Sequence, residues 1–282
     1  MTDTDAKQLP EVQLAHESVL FVAPHPDDET LAAGGFLQQL LRSGSRVRVI
    51  FLTDGERNPL AHSAMERRFC LGSAARERFR TYRRDEALRA MAHIGIAAEN
   101  CTFLSLPDSF VSRAMANGHA GMVIANVRSI VRSVNPTLIL IPCRSDLHPD
   151  HRAAARLLET AMAGGIRPAT TLRYAIHRPP GLNGRELVVI PLSSRELERK
   201  RAAIGEYRSQ LILSRRRFLS FAQQSEEFHE SCSTEPSISE WARRLMRLWT
   251  IVRGSFRRRK GRRTASAVLT LDEGGLWIRG EE

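Results

Sequence analysis

Long apolar stretches are missing from this 282-residue sequence: no run of about 18 apolar residues could span a membrane. The first 17 residues are polar and lack the apolar segment of a secretory signal. Cysteine is scarce too, and the four cysteines lie far apart without a Cys-x-x-Cys pair, which argues against a zinc ribbon or a disulfide-rich scaffold. We therefore expect a cytoplasmic protein whose cysteines are free thiols.

Acidic residues are absent from residues 241–263, a segment that holds ten arginines or lysines and thus accounts for ten of the eleven net positive charges. The rest of the chain is close to neutral. The apolar residues of this segment recur at helical spacing, which predicts a basic amphipathic helix. They are Trp241, Leu245, Leu248, Trp249, Val252 and Phe256.

Three interpretations of this basic segment stay open. The helix packs on the body of the protein, or it binds an anionic membrane surface at the inner face of the membrane, where each basic residue contributes about 1 kcal/mol. The third interpretation is nucleic-acid binding, which is the weakest because the chain shows no recognised nucleic-acid module.

Strand and helix patterns alternate along most of the chain. The apolar run Ser18–Ala23 predicts a strand, residues 31–42 predict a helix, and the β-branched run Arg46–Thr53 predicts a second strand. This order is a βαβ unit, and the alternation continues to about residue 224. We predict an α/β fold: a Rossmann-like, open, mostly parallel sheet with helices on both faces and a basic C-terminal appendage.

The same patterns suggest three regions. Residues 1–17 are a polar N-terminal extension, residues 18–224 form the main domain, and residues 225–282 contain a linker, the basic helix and a hairpin over Ala265–Gly280. Within the main domain, residues 54–75 lack clean periodicity and are predicted to form a long loop.

Two His-Pro-Asp turns concentrate the side chains that can bind a metal. The first is His25-Pro26-Asp27-Asp28-Glu29, and the second is Asp146-Leu147-His148-Pro149-Asp150-His151. Each turn follows a predicted strand and precedes a predicted helix. Because loops at the carboxyl ends of parallel strands meet in one crevice, we expect the two turns to face each other.

These residue types suit metal-assisted hydrolysis. A catalytic Zn²⁺ needs about three ligands from His, Asp or Glu and an open position for water. His25 and Asp28 can point at one ion, and a histidine of the second turn would complete the site. The metal lowers the pKa of bound water to about 7 and polarises a carbonyl group. Asp27 and His148 then remain as base and acid, so the pattern indicates hydrolysis of an amide or an ester.

Taken singly, such a turn is usually a solvated loop or a helix N-cap. Two of them, each between a buried strand and a helix, favour the functional interpretation. The other five histidines are scattered, and we expect them at the surface or satisfied in the core: His62, His93, His119, His177 and His229. The sequence has no G-x-G-x-x-G after the first strand, which disfavours a dinucleotide-binding protein.

At these motifs the chain resembles the LmbE-like or PIG-L family of zinc-dependent N-acetylglucosaminyl deacetylases. The resemblance covers roughly residues 18–224. It implies a single Zn²⁺, or another divalent metal, bound by His25, Asp28 and His151. It further implies an enzyme that removes an N-acetyl group from a glucosamine-containing glycoconjugate or sugar lipid and releases acetate and a free amine.

The resemblance also implies roles for five other residues. Asp27 is the general base, and His148 stabilises the oxyanion or protonates the amine, with Asp150 orienting its ring. Arg83 and Asp108 match positions that contact the sugar, while the role of Asp146 stays open.

Two alternatives remain. One is a related zinc amidase that acts on a bulkier acyl amide or a thiol-sugar conjugate. The other is a membrane-binding or nucleic-acid-binding protein that functions through its basic segment.

Overall fold

The computed structural model describes residues 7–8, 16–67, 72–163, 165, 168, 170–178, 187–230, 267–272 and 275–280. The chain divides into two compact units, Met1–Ser233 and Thr234–Glu282. In the described part of the chain, none of the helices combines the length and the apolarity needed to cross a membrane.

The first unit contains eight strands and eight α-helices among the described residues. The strands are β1 Lys7–Gln8, β2 Ser18–Ala23, β3 Arg46–Thr53, β4 Cys101–Leu106, β5 Leu138–Pro142, β6 Thr170–Tyr174, β7 Leu187–Pro191 and β8 Ser225–His229. The helices are α1 Asp28–Arg42, α2 Pro59–Glu66, α3 Ser73–Ile94, α4 Phe110–Ala116, α5 Gly121–Val134, α6 Pro149–Met162, α7 Ser194–Glu206 and α8 Arg208–Leu219.

The eight strands form one sheet in the order β1-β7-β8-β6-β5-β2-β3-β4. The five strands β6, β5, β2, β3 and β4 run parallel to one another, whereas β8 runs antiparallel to both β6 and β7. The chain moves outward from β2 in one direction to β3 and β4, and then returns to place β5 on the other side. This arrangement makes the gap between β2 and β5 a topological switch point, the usual binding position in such sheets.

Both faces of the sheet are covered, which explains the continuous apolar pattern of the central strands. In β2, Val19, Phe21 and Ala23 belong to a core shared with α1, α3 and α7. The alternate residues Leu20 and Val22 belong to a second core with α5 and α6. The predicted open, mostly parallel sheet with helices on both faces is therefore confirmed.

The prediction of one long loop over residues 54–75 is wrong, because this segment contains α2. The Asn58 side chain accepts a hydrogen bond from the Ala61 amide at 3.2 Å, and Pro59 occupies the first helical position. The Asn-Pro pair is thus an N-cap signal here. Only Ala61 and His62 are buried in this helix, so its apolar stripe is too short to give a clear period.

The linker prediction is wrong for its first residues, since β8 is an inner strand of the sheet. Its acidic composition conceals alternating burial: Glu226 and Phe228 are buried, and Glu226 is paired with the buried Lys200. The predicted N-terminal extension also contributes to the sheet, as β1 pairs in parallel with β7.

The second unit contains strands β9 Ala267–Asp272 and β10 Gly275–Gly280, which pair antiparallel with Asp272 opposite Gly275. This strand pair is the one that the sequence predicts for the hairpin. The predicted basic helix over residues 241–263 lies outside the described residues and stays a prediction. The prediction of free thiols holds for Cys101 and is wrong for Cys143, which is disulfide-bonded.

Candidate active site

The two His-Pro-Asp turns meet at the switch point, at the carboxyl ends of the adjacent strands β2 and β5. The loop after β4 joins them there through Asp108. His25 Nε2 lies 3.1 Å from Asp108 Oδ1 and 3.5 Å from Asp150 Oδ2. The loops after β2, β4 and β5 therefore supply side chains to one crevice. The two motifs predicted this meeting for the loops after β2 and β5.

The first turn is held in an unusual backbone conformation. Asp27, the residue before α1, has φ 124°, a value that is costly for a residue other than glycine. Its amide donates to Glu29 Oε2 at 3.0 Å, and the Arg83 guanidinium donates both to the Pro26 carbonyl and to Asp27 Oδ2, the latter at 3.1 Å. These contacts fix the Asp27 carboxylate beside the metal-binding candidates.

Three imidazoles converge at the centre of the crevice. His25, His148 and His151 each offer one ring nitrogen within 4.8 Å of the others. Asp28 lies between two of them, with Oδ2 at 3.5 Å from His25 Nδ1 and 3.2 Å from His151 Nε2. The structure thus brings together His25, Asp28 and His151, the three predicted metal ligands. It also places a ring nitrogen of His148 within 4.8 Å of those of His25 and His151.

The donor set fits a divalent metal ion. His151 is fully buried, and its Nδ1 lies 3.1 Å from Asp146 Oδ2. Among the described residues, His151 Nε2 has no hydrogen-bond partner of good geometry, and the nearest charged group is Asp28, whose Oδ2 lies 3.2 Å away. A histidine with a carboxylate on one nitrogen and a bare second nitrogen is typical of a metal ligand. Imidazole nitrogen and carboxylate oxygen are donors that Zn²⁺ takes.

The electrostatics of the crevice favour positive charge at its centre. Burial alone would lower the pKa of His151, but Asp28 and Asp146 raise it to about 10. Burial would likewise lower the pKa of His25, yet Asp108, Asp150 and Asp28 hold it well above its usual value. The same carboxylates would attract a divalent cation to this point.

The proposed acid and base differ in their surroundings. Burial raises the pKa of Asp27 to about 6, against the opposing effect of Arg83. Burial and the neighbouring histidines His25 and His151 hold the pKa of His148 well below its usual value, so this ring is neutral. Its Nδ1 accepts a hydrogen bond from the Asp150 amide at 3.3 Å, which leaves the ring proton on Nε2.

Asp150 contacts His148 through its backbone, whereas its carboxylate points elsewhere. Asp150 Oδ2 accepts a hydrogen bond from the Ser109 amide at 3.1 Å and approaches His25. The orientation of the His148 ring, which the family resemblance assigns to Asp150, is therefore made by the Asp150 N–H group in this structure.

The two predicted sugar-contacting residues occupy different places. Asp108 reaches the crevice, where Oδ2 accepts the Arg57 amide at 3.1 Å and Oδ1 meets His25. Arg83 is only 2% exposed and lies behind Asp27. Its approach depends on Gly55, which has φ +66° and where a Cβ would lie 3.2 Å from the Arg83 guanidinium. Contact of Arg83 with a substrate stays a prediction.

Two further residues contribute to the crevice: His177, which lies outside the two motifs, and Asp146, which belongs to the second motif. The His177 ring lies 5.3 Å from that of His148 and 5.2 Å from that of His151, between centroids, although we expected a surface or satisfied histidine. Asp146, whose role was open, contacts His151 directly. Strand position could have indicated His177, because it follows the carboxyl end of β6, the strand next to β5.

Comparison with known proteins gives a family match. Residues 20–162, just over half of the chain, match the family model described as PIG-L: GlcNAc-PI de-N-acetylase. The chain is 26% identical over 201 residues to a 1D-myo-inositol 2-acetamido-2-deoxy-alpha-D-glucopyranoside deacetylase of Rhodococcus erythropolis, covering 67% of this chain and 66% of that one. It is 29% identical to a probable N-acetyl-alpha-D-glucosaminyl L-malate deacetylase 2 of Bacillus cereus, covering 68% and 83%.

The chain spans only part of the length of these relatives: 66% of the Rhodococcus erythropolis protein and 54% of a similarly named deacetylase of Geodermatophilus obscurus.

Solved structures share the fold. A deacetylase of teicoplanin biosynthesis has a TM-score of 0.59 at 20% identity, covering 75% of this chain and 96% of that one. The 4-carboxy-2-hydroxymuconate hydratase GalB of Pseudomonas putida KT2440 has a TM-score of 0.56 at 19% identity, covering 88% and 92%. At these identities the likeness shows the fold alone, since one fold hosts different chemistries. The family model, in contrast, spans both His-Pro-Asp turns of the crevice, and on that match the chain belongs to the PIG-L family.

Proposed function

We propose that the chain is a metal-dependent deacetylase that removes the N-acetyl group from a glucosamine-containing substrate. The observation that carries the proposal is the convergence of His25, His148 and His151 at the switch point, where each offers a ring nitrogen within 4.8 Å of the others. The family match and the names of the two deacetylase relatives support the reaction class and the amino-sugar substrate.

His25, Asp28 and His151 would hold the metal, and Zn²⁺ is the ion that this donor set favours. A bound Zn²⁺ would polarise the acetyl carbonyl and make water acidic enough to deprotonate near neutral pH. The remaining residues of the crevice then supply the proton transfers.

Asp27 is placed to accept the proton of the attacking water, as Arg83 and the Glu29 contact with its amide fix its position. The neutral His148 presents an Nε2–H group that can donate to the carbonyl oxygen as negative charge develops there. Water adds to the acetyl carbon, the C–N bond breaks, and the proton taken up by Asp27 passes to the leaving nitrogen. The products are acetate and a free amine.

Metal content and acetate release test this proposal together. We expect one zinc per chain in the purified protein and acetate release from N-acetylglucosaminides linked to inositol or malate. The Asp27→Asn variant should keep its metal but lose about 10²–10⁴-fold in kcat, because the proton acceptor is gone. Asp85→Asn, the same change at an exposed position of α3, is the matched control and should retain full activity.

Two outcomes would contradict the proposal. A chain without bound metal that releases no acetate would remove the catalytic interpretation. A metal-bound chain that cleaves longer acyl amides and leaves N-acetyl sugars intact would replace the deacetylase with the related amidase.

A further inference from the structure

The proposed reaction does not use the contacts of Asp146, one of the residues of the crevice. It is fully buried, and the loop between β5 and α6 places it two residues before His148. Both of its carboxylate oxygens are engaged, and their hydrogen-bond partners lie at the start of α6 and in the segment after β6.

One oxygen of Asp146 joins α6 to the segment after β6. Oδ2 lies 3.1 Å from His151 Nδ1, and it also accepts the backbone amides of Ile176 and His177 at 2.9 and 3.1 Å. The other oxygen, Oδ1, accepts the His148 amide at 2.8 Å. The carboxylate therefore fixes the start of α6 and the end of β6 at the same time.

The contact with His151 has a consequence for the ring. A carboxylate can only accept, so His151 Nδ1 carries the proton of this hydrogen bond. In the neutral ring, the lone pair then lies on Nε2, the buried nitrogen that has no hydrogen-bond partner among the described residues and lies 3.2 Å from Asp28 Oδ2. The ring is thus presented to the crevice in the one tautomer that can bind a metal through Nε2.

We infer that Asp146 is the positioning residue of the metal centre: it selects the His151 tautomer and ties the β6 loop to the metal-binding turn. The inference rests on the proposed function, because it takes His151 to be a metal ligand. Asp146 contacts Nδ1 of the His151 ring, so with an ion bound at Nε2 it would act on the metal through His151. His177, whose amide it holds, is thereby fixed at the edge of the crevice beside His148.

The Asp146→Asn variant tests the inference by metal affinity. Its side chain keeps its size but loses the charge, and its NH₂ group has to face one of the N–H groups that the carboxylate accepts on both oxygens, so the hold on the His151 Nδ1–H tautomer is weakened. We expect Zn²⁺ to bind about 10–100-fold more weakly in competition with a chromogenic chelator. The visible absorption of the Co²⁺-loaded variant should also change, because the ligand field depends on the orientation of the His151 ring.

Asp54→Asn is the matched control. Asp54 is also fully buried at the carboxyl edge of the sheet, but its oxygens meet Arg84 at 2.9 Å and Arg80 at 3.2 Å. We expect its Zn²⁺ affinity and Co²⁺ spectrum to match those of the unmodified protein. Equal affinity of the Asp146→Asn and unmodified proteins would overturn the positioning role and leave the proposed function standing. A lack of Zn²⁺ binding by the unmodified protein would overturn both.

A second measurement needs no variant and so survives a failure of Asp146→Asn to fold. In the Zn²⁺-loaded unmodified protein, long-range ¹H–¹⁵N correlation spectra should show His151 protonated at Nδ1. A His151 ring protonated at Nε2 would overturn the inference.

Discussion

At the scale of single residues, the buried ionisable groups of the crevice each contact a specific partner. Burial alone raises the pKa of Asp146, but His151 and His177 hold it well below its usual value. Glu29 receives hydrogen bonds from Tyr207 and Thr30, yet burial still raises its pKa to about 7. Burial and neighbouring groups therefore shift the pKa values of crevice residues away from those of the free side chains.

Cys101 offers a test of this effect away from the crevice. Burial, with Glu29 and Glu99 adding to it, raises the pKa of its thiol to about 12. Only the thiolate reacts, and a raised pKa lowers the thiolate population at every pH below 12. Native Cys101 should therefore react with iodoacetamide at pH 8 on the order of 10³ times more slowly than Cys101 of the unfolded chain. Peptide mass spectrometry of labelled samples measures this site alone. Equal rates in native and urea-unfolded protein would contradict the prediction.

At the scale of elements, local signals determine where helices start. Helix α7 begins with a capping box: the Ser193 hydroxyl accepts the Glu196 amide at 3.4 Å, and the Glu196 carboxylate accepts the Ser193 amide at 2.7 Å. Helix α3 is followed by Gly95, whose φ of 104° suits a glycine at the end of a helix. Such signals lie within a few residues, so the sequence alone reveals them.

Removing the α7 cap should destabilise the protein without touching the crevice. We expect Ser193→Ala to lower the free energy of unfolding by about 1 kcal/mol, because one amide of the first turn loses its acceptor. Ser194→Ala, at the next and likewise exposed position, is the control and should change stability little. Urea unfolding followed by circular dichroism compares the two. Similar losses for both variants would show that the cap is without effect.

At the scale of the whole molecule, one buried ion pair joins three distant elements. Lys200 of α7 lies 2.7 Å from Glu226 of β8, and both side chains are buried. Glu226 also accepts the amides of Gly35 and Phe36, in the middle of α1, at 2.7 and 2.8 Å. The Lys200 ammonium donates to the Leu31 carbonyl at 2.9 Å, so the pair takes over hydrogen bonds of the α1 backbone.

Lys200→Met should therefore be strongly destabilising. It leaves the Glu226 carboxylate buried without its counter-ion, for which the expected cost is about 3–5 kcal/mol. Arg89→Met breaks a matching but exposed ion pair with Glu206 and should cost about 1 kcal/mol or less. Equilibrium unfolding in urea measures both. A Lys200→Met variant as stable as Arg89→Met would contradict the assigned importance of the buried pair.

The sequence by itself determined the alternation of the central strands and helices and the two His-Pro-Asp turns. Apolar runs predicted the central strands, and the rule that parallel strands end at one edge predicted the meeting of His25 with His151. Those signals are local or follow from the topology. The strand β8 and the helix α2 gave weak signals, because an acidic strand and an eight-residue helix show little periodicity.

Only the tertiary structure decided what surrounds the two turns. Arg83 is 56 residues from the Asp27 that it contacts, and Asp146 is 30 residues from the Ile176 amide that it accepts. His177 lies in the crevice because β6, the strand before it, pairs with β5. Such contacts depend on how elements far apart in the chain pack together. The spacing of residues along the sequence does not predict them.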